Sequence, residues 1–394
     1  MKQQLNRAHV WVIIMQRFKL KTDIIFGQNA LEALKSVQGK NVVVFTDRFL
    51  TDNGTANRIK ELLTSCENVS IYSDVIPDPP VETVASGLKF LIENEIDLVV
   101  ALGGGSAIDA AKGTVYVARK HTGKYIRLIA VPTTSGTGSE VTEFAVISDR
   151  QAGKKIPLVD EEMLPEMAIL SCELTASVPP AVTADTGFDV LTHALEAYIS
   201  KNANEFSDAL AEKAVELWAE YIVPAYKNGN DMIAREKMHT ASCLAGIAFN
   251  EAGLGVNHSI AHALGAHFHI PHGRANAMLL PHVLRYNTEL DIKFCVKNAN
   301  ATADKLEGLA RRLGYPGNSP DVGVRNMIHK IKEYQRWLNI PTTLGEAGVT
   351  IDQYKKAKQH IIESAIADAC TATNPRVVDA KGVEEILDKI DIFI

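Results

Sequence analysis

The fold is decided by one stretch of ten residues, Leu98–Ala107, which reads LVVALGGGSA. Its first five residues are all apolar, as expected for a strand in a parallel sheet that helices cover on both faces. Three consecutive glycines end this strand, and an amphipathic helical pattern follows Ser106. A strand, a glycine turn and a helix in this order predict a βαβ unit of an α/β domain.

The same alternation extends on both sides of this stretch, between residues 18 and 174. The predicted strands are Asn41–Thr46, Val69–Ser73, Asp97–Leu102, Arg127–Val131 and Glu143–Ser148. The predicted helices are Ala30–Lys35, Ala56–Thr64, Val81–Glu93 and Ala107–Ala118. Right-handed crossovers should bring such strands into one parallel sheet. We therefore predict an N-terminal α/β dinucleotide-binding domain with a Rossmann-like sheet, residues 18–179.

The pattern changes at Pro179-Pro180, beyond which long helical patterns dominate. They cover Thr183–Ser200, Glu205–Tyr221, Ile233–Phe249, Asn257–His267 and Ala301–Leu313. In the second of them, apolar residues recur at three-, four- and seven-residue steps, which marks one buried face. We predict an all-α C-terminal domain, residues 180–394. Residues 1–17 are interpreted as a poorly ordered extension, with a targeting or encapsulation helix as the alternative.

Composition excludes several classes of protein. The 394 residues include 41 Lys and Arg against 47 Asp and Glu, a net charge of −6, so no basic surface for nucleic acid is indicated. With 46% apolar residues the chain is too apolar to be disordered, yet no apolar run approaches the ~20 residues of a membrane span. The five cysteines form no CxxC pair, which favours a reducing compartment. We expect a cytoplasmic protein without nucleic-acid or membrane partners.

The glycine turn is a candidate anion site. Gly103, Gly104 and Gly105 carry no Cβ, so the backbone there can approach a ligand closely. The helix that Ser106 opens presents free N–H groups and a positive dipole end, which suit a phosphate or pyrophosphate. A tight turn without a ligand is the alternative, because the turn does not match the GxGxxG fingerprint of standard Rossmann domains.

A second loop, Pro132–Glu140, also follows an apolar strand and is rich in Thr, Ser and Gly. Such a loop can bond a ribose, a phosphate or a nicotinamide amide, whereas a purely structural loop has little need of so many hydroxyls. Asp47 ends another apolar run. A carboxylate there can accept a hydrogen bond from a ribose 2′-OH and repels a 2′-phosphate, which favours NAD over NADP. Helix capping is the alternative role for Asp47.

Histidine is the unusual feature of the composition. Six of the 12 histidines fall within 25 positions: His258, His262, His267, His269, His272 and His282. The spacing of His258 and His262 places both on one helix face, and Asp189 and His193 repeat it in an earlier helical stretch. His272 follows on a Pro/Gly turn. Three imidazoles and one carboxylate, without thiolates, suit Fe(II) or Zn(II) in a catalytic site.

Spacing alone does not decide which of these histidines bind a metal. We interpret His267 and His269 as pocket-lining or structural residues, and His282 as structural. Glu196 lies three residues beyond His193, where it can either support the site or be an ordinary surface carboxylate.

With these motifs, the chain resembles the iron-containing (group III) alcohol dehydrogenases, which share the dehydroquinate synthase-like fold. The motifs that carry the resemblance are Gly103–Ser106, Pro132–Glu140, Thr186–Ala194 and His258–Gly273. The resemblance runs from about Phe18 to Arg376, essentially the whole chain. Within the family it is greatest to the branch of 1-propanol dehydrogenases and ethanolamine-utilisation alcohol dehydrogenases.

The resemblance implies roles for individual residues. The implied metal ligands are Asp189, His193, His258 and His272, and His262 is the additional active-site histidine that relays a proton. The implied cofactor contacts are Asp47, Gly103, Gly104, Gly105, Ser106, Asp109, Thr133, Thr134, Thr137 and Lys155. Asp78 matches a position where relatives often carry Asn.

The implied activity is reversible hydride transfer between NAD(H) and a small primary alcohol or aldehyde, with Fe²⁺ or Zn²⁺ as the metal. The resemblance also implies a homo-oligomer, a dimer or larger, and an association with a bacterial microcompartment. Three alternatives stay open at this point. They are a glycerol- or lactaldehyde/1,2-propanediol-type polyol dehydrogenase, a dehydroquinate-synthase-like lyase and a non-catalytic shell component.

Overall fold

The computed structural model describes residues 17–150, 154–290 and 300–391. The predicted N-terminal extension, and with it the alternative of a targeting helix, therefore lies outside the described residues except for Arg17. Within the described ranges, no helix is both long enough and apolar enough to cross a membrane.

Eight strands occur in this part of the chain, and six of them form one sheet. The strands are β1 (Asp23–Phe26), β2 (Gly39–Asp47), β3 (Cys66–Val75), β4 (Leu98–Gly103), β5 (Arg127–Pro132), β6 (Phe144–Asp149), β7 (Lys154–Val159) and β8 (Met167–Leu170). The large sheet has the order β1-β8-β5-β4-β2-β3, and its neighbouring strands are all parallel. The other two strands, β6 and β7, form a small antiparallel sheet.

Four α-helices lie among the strands, and nine α-helices follow them in the described residues. The first four are α1 (Arg48–Asp52), α2 (Thr55–Leu62), α3 (Val81–Glu93) and α4 (Gly105–Thr122). The others are α5 (Pro180–Ile199), α6 (Glu205–Lys227), α7 (Met232–Ala252), α8 (Val256–Phe268), α9 (His272–Asn287), α10 (Ala301–Arg312), α11 (Pro320–Trp337), α12 (Ile351–Ala367) and α13 (Ala380–Leu387). The predicted fold class, a Rossmann-like α/β domain followed by a helical one, is confirmed.

Strand β4 lies inside the sheet, and all six of its residues are buried. Val100 packs into the apolar core on one face, together with residues of the 3-10 helix Ala30–Ser36 and of α2. Val99 packs into the core on the other face, together with residues of α4. This burial on both faces explains why the strand is a continuous apolar run instead of an alternating one.

The structure differs from the prediction in several strands and in one helix. The predicted strand Glu143–Ser148 is β6, which pairs antiparallel with β7 outside the main sheet. Its alternating burial, with one face covered, is typical of antiparallel pairing. Strands β1, β7 and β8 were not predicted, and β1 and β8 have only four residues each, too few to show a period. The stretch predicted as helix Ala30–Lys35 is a 3-10 helix.

The strand order creates a crevice at the carboxyl ends of β2 and β4. Strand β2 is followed by β3 on one side of it, and β4 is followed by β5 on the opposite side. The connections that leave β2 and β4 therefore run in opposite directions along the sheet. Open α/β sheets bind ligands at such a switch point, outside the carboxyl ends of the strands. Asp47 ends β2 and the glycine turn ends β4, so these two candidate cofactor elements lie at neighbouring strand ends.

Candidate metal centre and cofactor crevice

Helix α5 is buried along most of its length and carries the first two candidate ligands. Asp189 and His193 lie one turn apart on it, with 3% and 5% of their surface exposed. Polar side chains in such a helix require partners, because burying them alone is unfavourable. The partners come from α8 and α9, whose first turns bring in His258 and His272. The interpretation of His272 as a turn residue was wrong, since Pro271 is the N-cap and His272 begins α9.

The four side chains converge on one point. Asp189 Oδ1 lies 3.7 Å from Nε2 of His258 and 3.4 Å from Nε2 of His272. Asp189 Oδ2 lies 4.0 Å from Nδ1 of His193. One ligand atom from each of the four residues lies within 4.8 Å of all the others. Ligands held about 2.1 Å from one cation are themselves about 3–4 Å apart, so the spacing fits a single divalent ion.

Burial and charge set the protonation of this cluster. Burial lowers the pKa of His193 to about 4, which leaves this ring neutral, as a ligand must be. Burial also lowers the pKa of His258, but the charges of Asp189 and Glu196, the second hydrogen-bonded to its ring, outweigh it and raise the pKa to about 9. Two carboxylates thus favour a positive charge inside the cluster, and a metal ion can supply that charge in place of the proton on His258.

The donor set fits a bound iron ion by its chemistry. Nδ1 of His193 is buried and has no hydrogen-bond partner within the described residues, which is costly unless a ligand occupies it. Asp189, His193 and His258 are buried, whereas 38% of the His272 side chain is exposed. A site that is closed on three sides and open on one suits a catalytic metal with access for substrate.

Two further buried residues hold the ligands in place. Glu196 accepts a 2.6 Å hydrogen bond from Nδ1 of His258 and a 2.7 Å bond from the backbone N–H of Asn257. This fixes the ring of His258 with Nε2 toward the cluster and shows that Glu196 is a buried support of the site, not a surface carboxylate. Asn276 donates a 2.7 Å hydrogen bond to Asp189 Oδ1. Asn276 was not predicted, although it lies four residues after His272 on the same helix face.

The start of α9 is held against α5 by an ion pair and a close backbone contact. Arg274 donates two hydrogen bonds to Asp185, at 3.1 and 3.0 Å. Gly273 packs so closely on the Asp185 carbonyl that a Cβ would collide with it. These contacts fix the position of His272 relative to Asp189.

The glycine turn and the loop Pro132–Glu140 lie against each other. A Cβ on Gly104 would approach the Thr134 hydroxyl to 3.2 Å, and one on Gly105 would clash with Thr137. Gly103 has φ +148° and accepts a 3.0 Å hydrogen bond from the backbone N–H of Thr133. The two motifs therefore form one continuous wall. Thr134 and Thr137 are partly exposed on it, and Thr133 is buried.

Asp47 has the helix-capping role considered for it, and the position of its second oxygen leaves the cofactor role open. Its Oδ1 caps α1 by accepting a 2.9 Å hydrogen bond from the Leu50 N–H. Its Oδ2 is directed to the glycine turn, since a Cβ on Gly103 would lie 3.9 Å from it. One oxygen is therefore used for the fold, and the other is available at the crevice.

Asp109 lies beneath this wall. Both of its oxygens bind the chain itself, because they accept hydrogen bonds from the Ser139 hydroxyl and from the Val146 N–H. One turn later, Lys112 is fully buried and donates to the Thr142 carbonyl at 2.6 Å. These bonds tie α4 to the segment that follows the Thr/Ser loop, so Asp109 supports the loop from behind.

Lys155 lies at the exposed rim of the crevice. Its Nζ forms a 2.7 Å ion pair with Asp78, which has φ +49°, a conformation that Asn and Asp tolerate better than most residues. The backbone N–H of Asp78 donates to the Ser106 hydroxyl at 3.3 Å. Three segments that are remote in sequence thus meet beside the glycine turn.

The Thr/Ser loop also contacts the helices of the metal site. A Cβ on Gly136 would clash with Thr186 of α5, and Gly138 packs against the backbone of α7 at Gly246. Thr186 lies three residues before Asp189 on α5. The loop that forms one wall of the crevice therefore touches the helix that carries two candidate metal ligands, which makes the two candidate sites one continuous site.

Three further histidines of the histidine-rich stretch differ in position: His262 lies at the site, and His267 and His269 lie away from it. His262 is half-buried and stacks on His272, with ring centroids 5.3 Å apart. His267 and His269 are exposed beyond the cluster, where His267 bonds His360 at 2.9 Å and His269 caps the end of α8. Of the two roles considered for them, pocket lining or structural, these contacts favour the structural one.

Comparison with known proteins shows which family the chain matches. A family model described as iron-containing alcohol dehydrogenase matches residues 21–172. A second, described as the C-terminal part of the Fe-containing alcohol dehydrogenase family, matches residues 183–390. The 1-propanol dehydrogenase PduQ of Citrobacter freundii is 41% identical over 378 residues, which cover 95% of this chain and 100% of that protein. The NADPH-dependent butanol dehydrogenase of Clostridium saccharobutylicum is 37% identical, with 95% and 97% covered.

Solved structures agree in fold over nearly the whole chain. A 1,3-propanediol oxidoreductase superposes with a TM-score of 0.86 at 32% identity, covering 96% of this chain and 100% of that one. Sulfoacetaldehyde reductase from Bifidobacterium kashiwanohense, in complex with NAD⁺, gives a TM-score of 0.82 at 28% identity, with 96% and 99% covered. Together with the two family models, these similarities show that the chain belongs to the iron-containing alcohol dehydrogenase family.

Proposed function

We propose that the protein interconverts small primary alcohols and their aldehydes by reversible hydride transfer with NAD(H), using iron held by Asp189, His193, His258 and His272. The observation that carries the proposal is the close packing of Gly136 on Thr186, which joins the crevice wall to the helix that carries Asp189 and His193. A substrate oxygen at the cluster would then lie next to a nicotinamide held by the loop.

The crevice residues would bind and orient the dinucleotide. The glycine turn Gly103–Ser106, at the start of α4, offers backbone N–H groups to the pyrophosphate. Asp47 would accept from the adenosine ribose, and Lys155 at the rim adds a positive charge near the phosphates. Thr134 and Thr137 are partly exposed on the wall and would hold the nicotinamide half. Thr133 and Asp109 support this wall.

A side chain of the protein is placed to transfer the hydroxyl proton of the alcohol. Oxidation sends a hydride from the alcohol carbon to the nicotinamide and releases the hydroxyl proton to solvent. Bound iron would supply Lewis-acid polarisation of the substrate oxygen. His262 stacks beside His272 on the open side of the cluster, and 33% of its side chain is exposed. We propose that it passes the proton between the substrate and solvent.

A diol is the second candidate substrate. The 1,3-propanediol oxidoreductase that shares the fold motivates this alternative. The additional hydroxyl of a diol changes the preference between diol and simple alcohol strongly only if the pocket supplies a hydrogen-bond partner for it.

Anaerobically purified protein tests the function directly. We expect about one iron per chain and iron-dependent NADH formation with ethanol, 1-propanol and 1-butanol, followed by nicotinamide absorbance. Diols and glycerol are assayed in parallel. Turnover restricted to diols would favour the second candidate, and a protein that neither binds iron nor reduces NAD⁺ with any alcohol would contradict the proposal.

Replacing Asp47 by Ser is expected to shift cofactor selectivity toward NADPH. Serine keeps the N-cap of α1, because its hydroxyl can accept from Leu50 as Asp47 does. Removal of the carboxylate removes its repulsion of a 2′-phosphate, so the NADPH/NADH ratio of kcat/KM should rise at least ~10-fold, about 1.4 kcal/mol. Asp52→Ser, an exposed carboxylate at the end of α1, is the matched control. An unchanged ratio in Asp47→Ser would remove Asp47 from the cofactor site.

Replacing His239 by Leu is expected to weaken NAD binding. His239 lies on α7, is 1% exposed and hydrogen-bonds the Ser135 hydroxyl at 2.9 Å. Burial lowers the pKa of His239 to about 4, so the bond is that of a neutral ring. Loss of one buried hydrogen bond costs about 1 kcal/mol, which corresponds to a roughly 5-fold higher KM for NAD. Asn places an amide near the Nδ1 position, so His239→Asn should restore KM; equal KM values for wild type and His239→Leu would refute this role.

We also propose a cytoplasmic homo-oligomer that associates with a bacterial microcompartment. The edge position of β1 in the described sheet, and the 64% exposure of Phe26 at its end, support self-association. The microcompartment rests on the resemblance to the propanediol- and ethanolamine-utilisation branch alone. Light scattering tests the first part of the proposal, and co-fractionation with purified compartments tests the second.

A further inference from the structure

Asp368 forms a hydrogen-bonded pair with His262. Asp368 follows α12, and its Oδ2 accepts a 2.9 Å hydrogen bond from Nδ1 of His262 on α8. The two residues are 106 positions apart in the sequence, so nothing in the local pattern of either one predicts the contact. The bond places the Nδ1 proton of His262 against a carboxylate and leaves Nε2 as the ring's free acceptor.

The carboxylate of Asp368 is itself held from two sides. Its Oδ1 accepts a 2.9 Å hydrogen bond from the Cys370 N–H, which caps the 3-10 helix Ala369–Thr373. The Ser259 hydroxyl donates to the same oxygen at 3.4 Å, one turn before His262 on α8. Burial raises the pKa of Asp368, but the hydrogen bond and charge of His262 outweigh it and lower the pKa to about 2. The carboxylate of Asp368 is thus ionised, held in place, and accepts the hydrogen bond of His262.

A second metal site is the alternative role for Asp368 and His262, together with Cys370. One ligand atom each from His262, Asp368 and Cys370 lies within 4.8 Å of the others. Two observations argue against it. Both oxygens of Asp368 already accept hydrogen bonds from the chain, and burial raises the pKa of the Cys370 thiol well above its ordinary value. A protonated thiol is a poor metal ligand.

We propose that Asp368 is a positioning residue for proton transfer, which holds His262 in the Nδ1–H tautomer with Nε2 toward the substrate. The proposal rests on the proton-relay role proposed for His262. In alcohol oxidation the hydroxyl proton passes to Nε2 of His262 and from there to solvent, while the hydride passes to NAD⁺; aldehyde reduction runs the same transfers in reverse. Asp368 keeps its charge throughout and stabilises the imidazolium that forms, as a carboxylate does behind a general base.

Asp368→Asn tests the proposal with little change of shape. Asn remains a good N-cap for the 3-10 helix, so the fold should be kept. Its amide, however, can donate to Nδ1 of His262, which moves the ring proton to Nε2 and removes the acceptor. We expect kcat for 1-propanol to fall ~10²-fold with little change in KM and with iron content unchanged. Asp379→Asn, which alters the N-cap carboxylate of α13 away from the site, should leave kcat at the wild-type value.

A double-mutant comparison separates this inference from the proposed function. In a His262→Ala background, Asp368→Asn should cause no further loss of kcat, because the group it positions is gone. A full additional loss in that background, loss of iron in Asp368→Asn, or a wild-type kcat in Asp368→Asn alone would overturn the inference. Wild-type kcat in His262→Ala would overturn the relay role of His262, and wild-type protein that does not oxidise alcohols would overturn the proposed function itself. Two metal ions per wild-type chain, falling to one in Asp368→Asn, would establish the second metal site instead.

Discussion

Protein in which His258 is replaced by alanine is expected to lose both its iron and its alcohol dehydrogenase activity. His258 is 1% exposed and lies between Asp189 and Glu196, so no other side chain can take its place without rearranging the core. Removing one of the four ligands also opens the cluster to water, which would weaken the bonds of the other three ligands to iron. We expect iron below about one tenth of an equivalent and kcat/KM reduced at least ~10³-fold. Metal analysis after desalting and initial rates with 1-propanol measure both quantities.

His267→Ala is the matched control for this experiment. His267 belongs to the same histidine-rich stretch, but it is exposed and bonds His360 outside the cluster. It should keep full iron content and turnover. Thermal unfolding of both variants separates ligand loss from unfolding. If the His258 variant is folded, binds iron stoichiometrically and turns over normally, the ligand assignment is wrong.

Replacing Glu196 by Gln is expected to weaken iron binding without removing any ligand. The charged oxygen of Glu196 accepts from Nδ1 of His258 at 2.6 Å, which makes Nε2 of that ring a stronger donor to the metal. Gln retains a carbonyl oxygen for the Asn257 N–H but no negative charge. Loss of such a supporting carboxylate typically costs 10–100-fold in metal affinity, and we expect a change of about that size here.

A competition titration against a chelator of known affinity measures this change. Excess iron should restore the turnover of Glu196→Gln almost completely, because the four ligands are still present. Glu216→Gln, a surface carboxylate paired with Lys213, serves as the control and should titrate as wild type. An affinity equal to that of wild type in Glu196→Gln would show that the bond to His258 is structural only.

Local patterns in the sequence account for much of the fold and for the elements that carry the site. The apolar run of β4, its glycine turn and the i, i+4 spacing of Asp189 and His193 are all properties of short segments. Such segments have a defined geometry wherever the chain places them. The fold class and the family were therefore predicted correctly.

Features that depend on distant parts of the chain were missed or only partly predicted. The bond from His262 to Asp368 spans 106 positions, and that from Ser135 to His239 spans 104. Asn276 is a single amide in a helical stretch, and its importance appears only once α5 and α9 are packed together. Asp109 was assigned a cofactor contact by resemblance, but a sequence pattern does not show that both of its oxygens bind the chain.

Iron reconstitution of chelator-treated protein is the most direct test of the central claim, that the Asp189–His193–His258–His272 cluster holds the metal on which alcohol oxidation depends. Apoprotein is titrated with Fe²⁺ under anaerobic conditions while propanol-dependent NADH formation is followed. We expect activity to rise linearly and to reach its plateau at one iron per chain, and we expect no rise in the His258→Ala variant. Full activity in metal-free protein, or equal recovery in the His258→Ala variant, would contradict it.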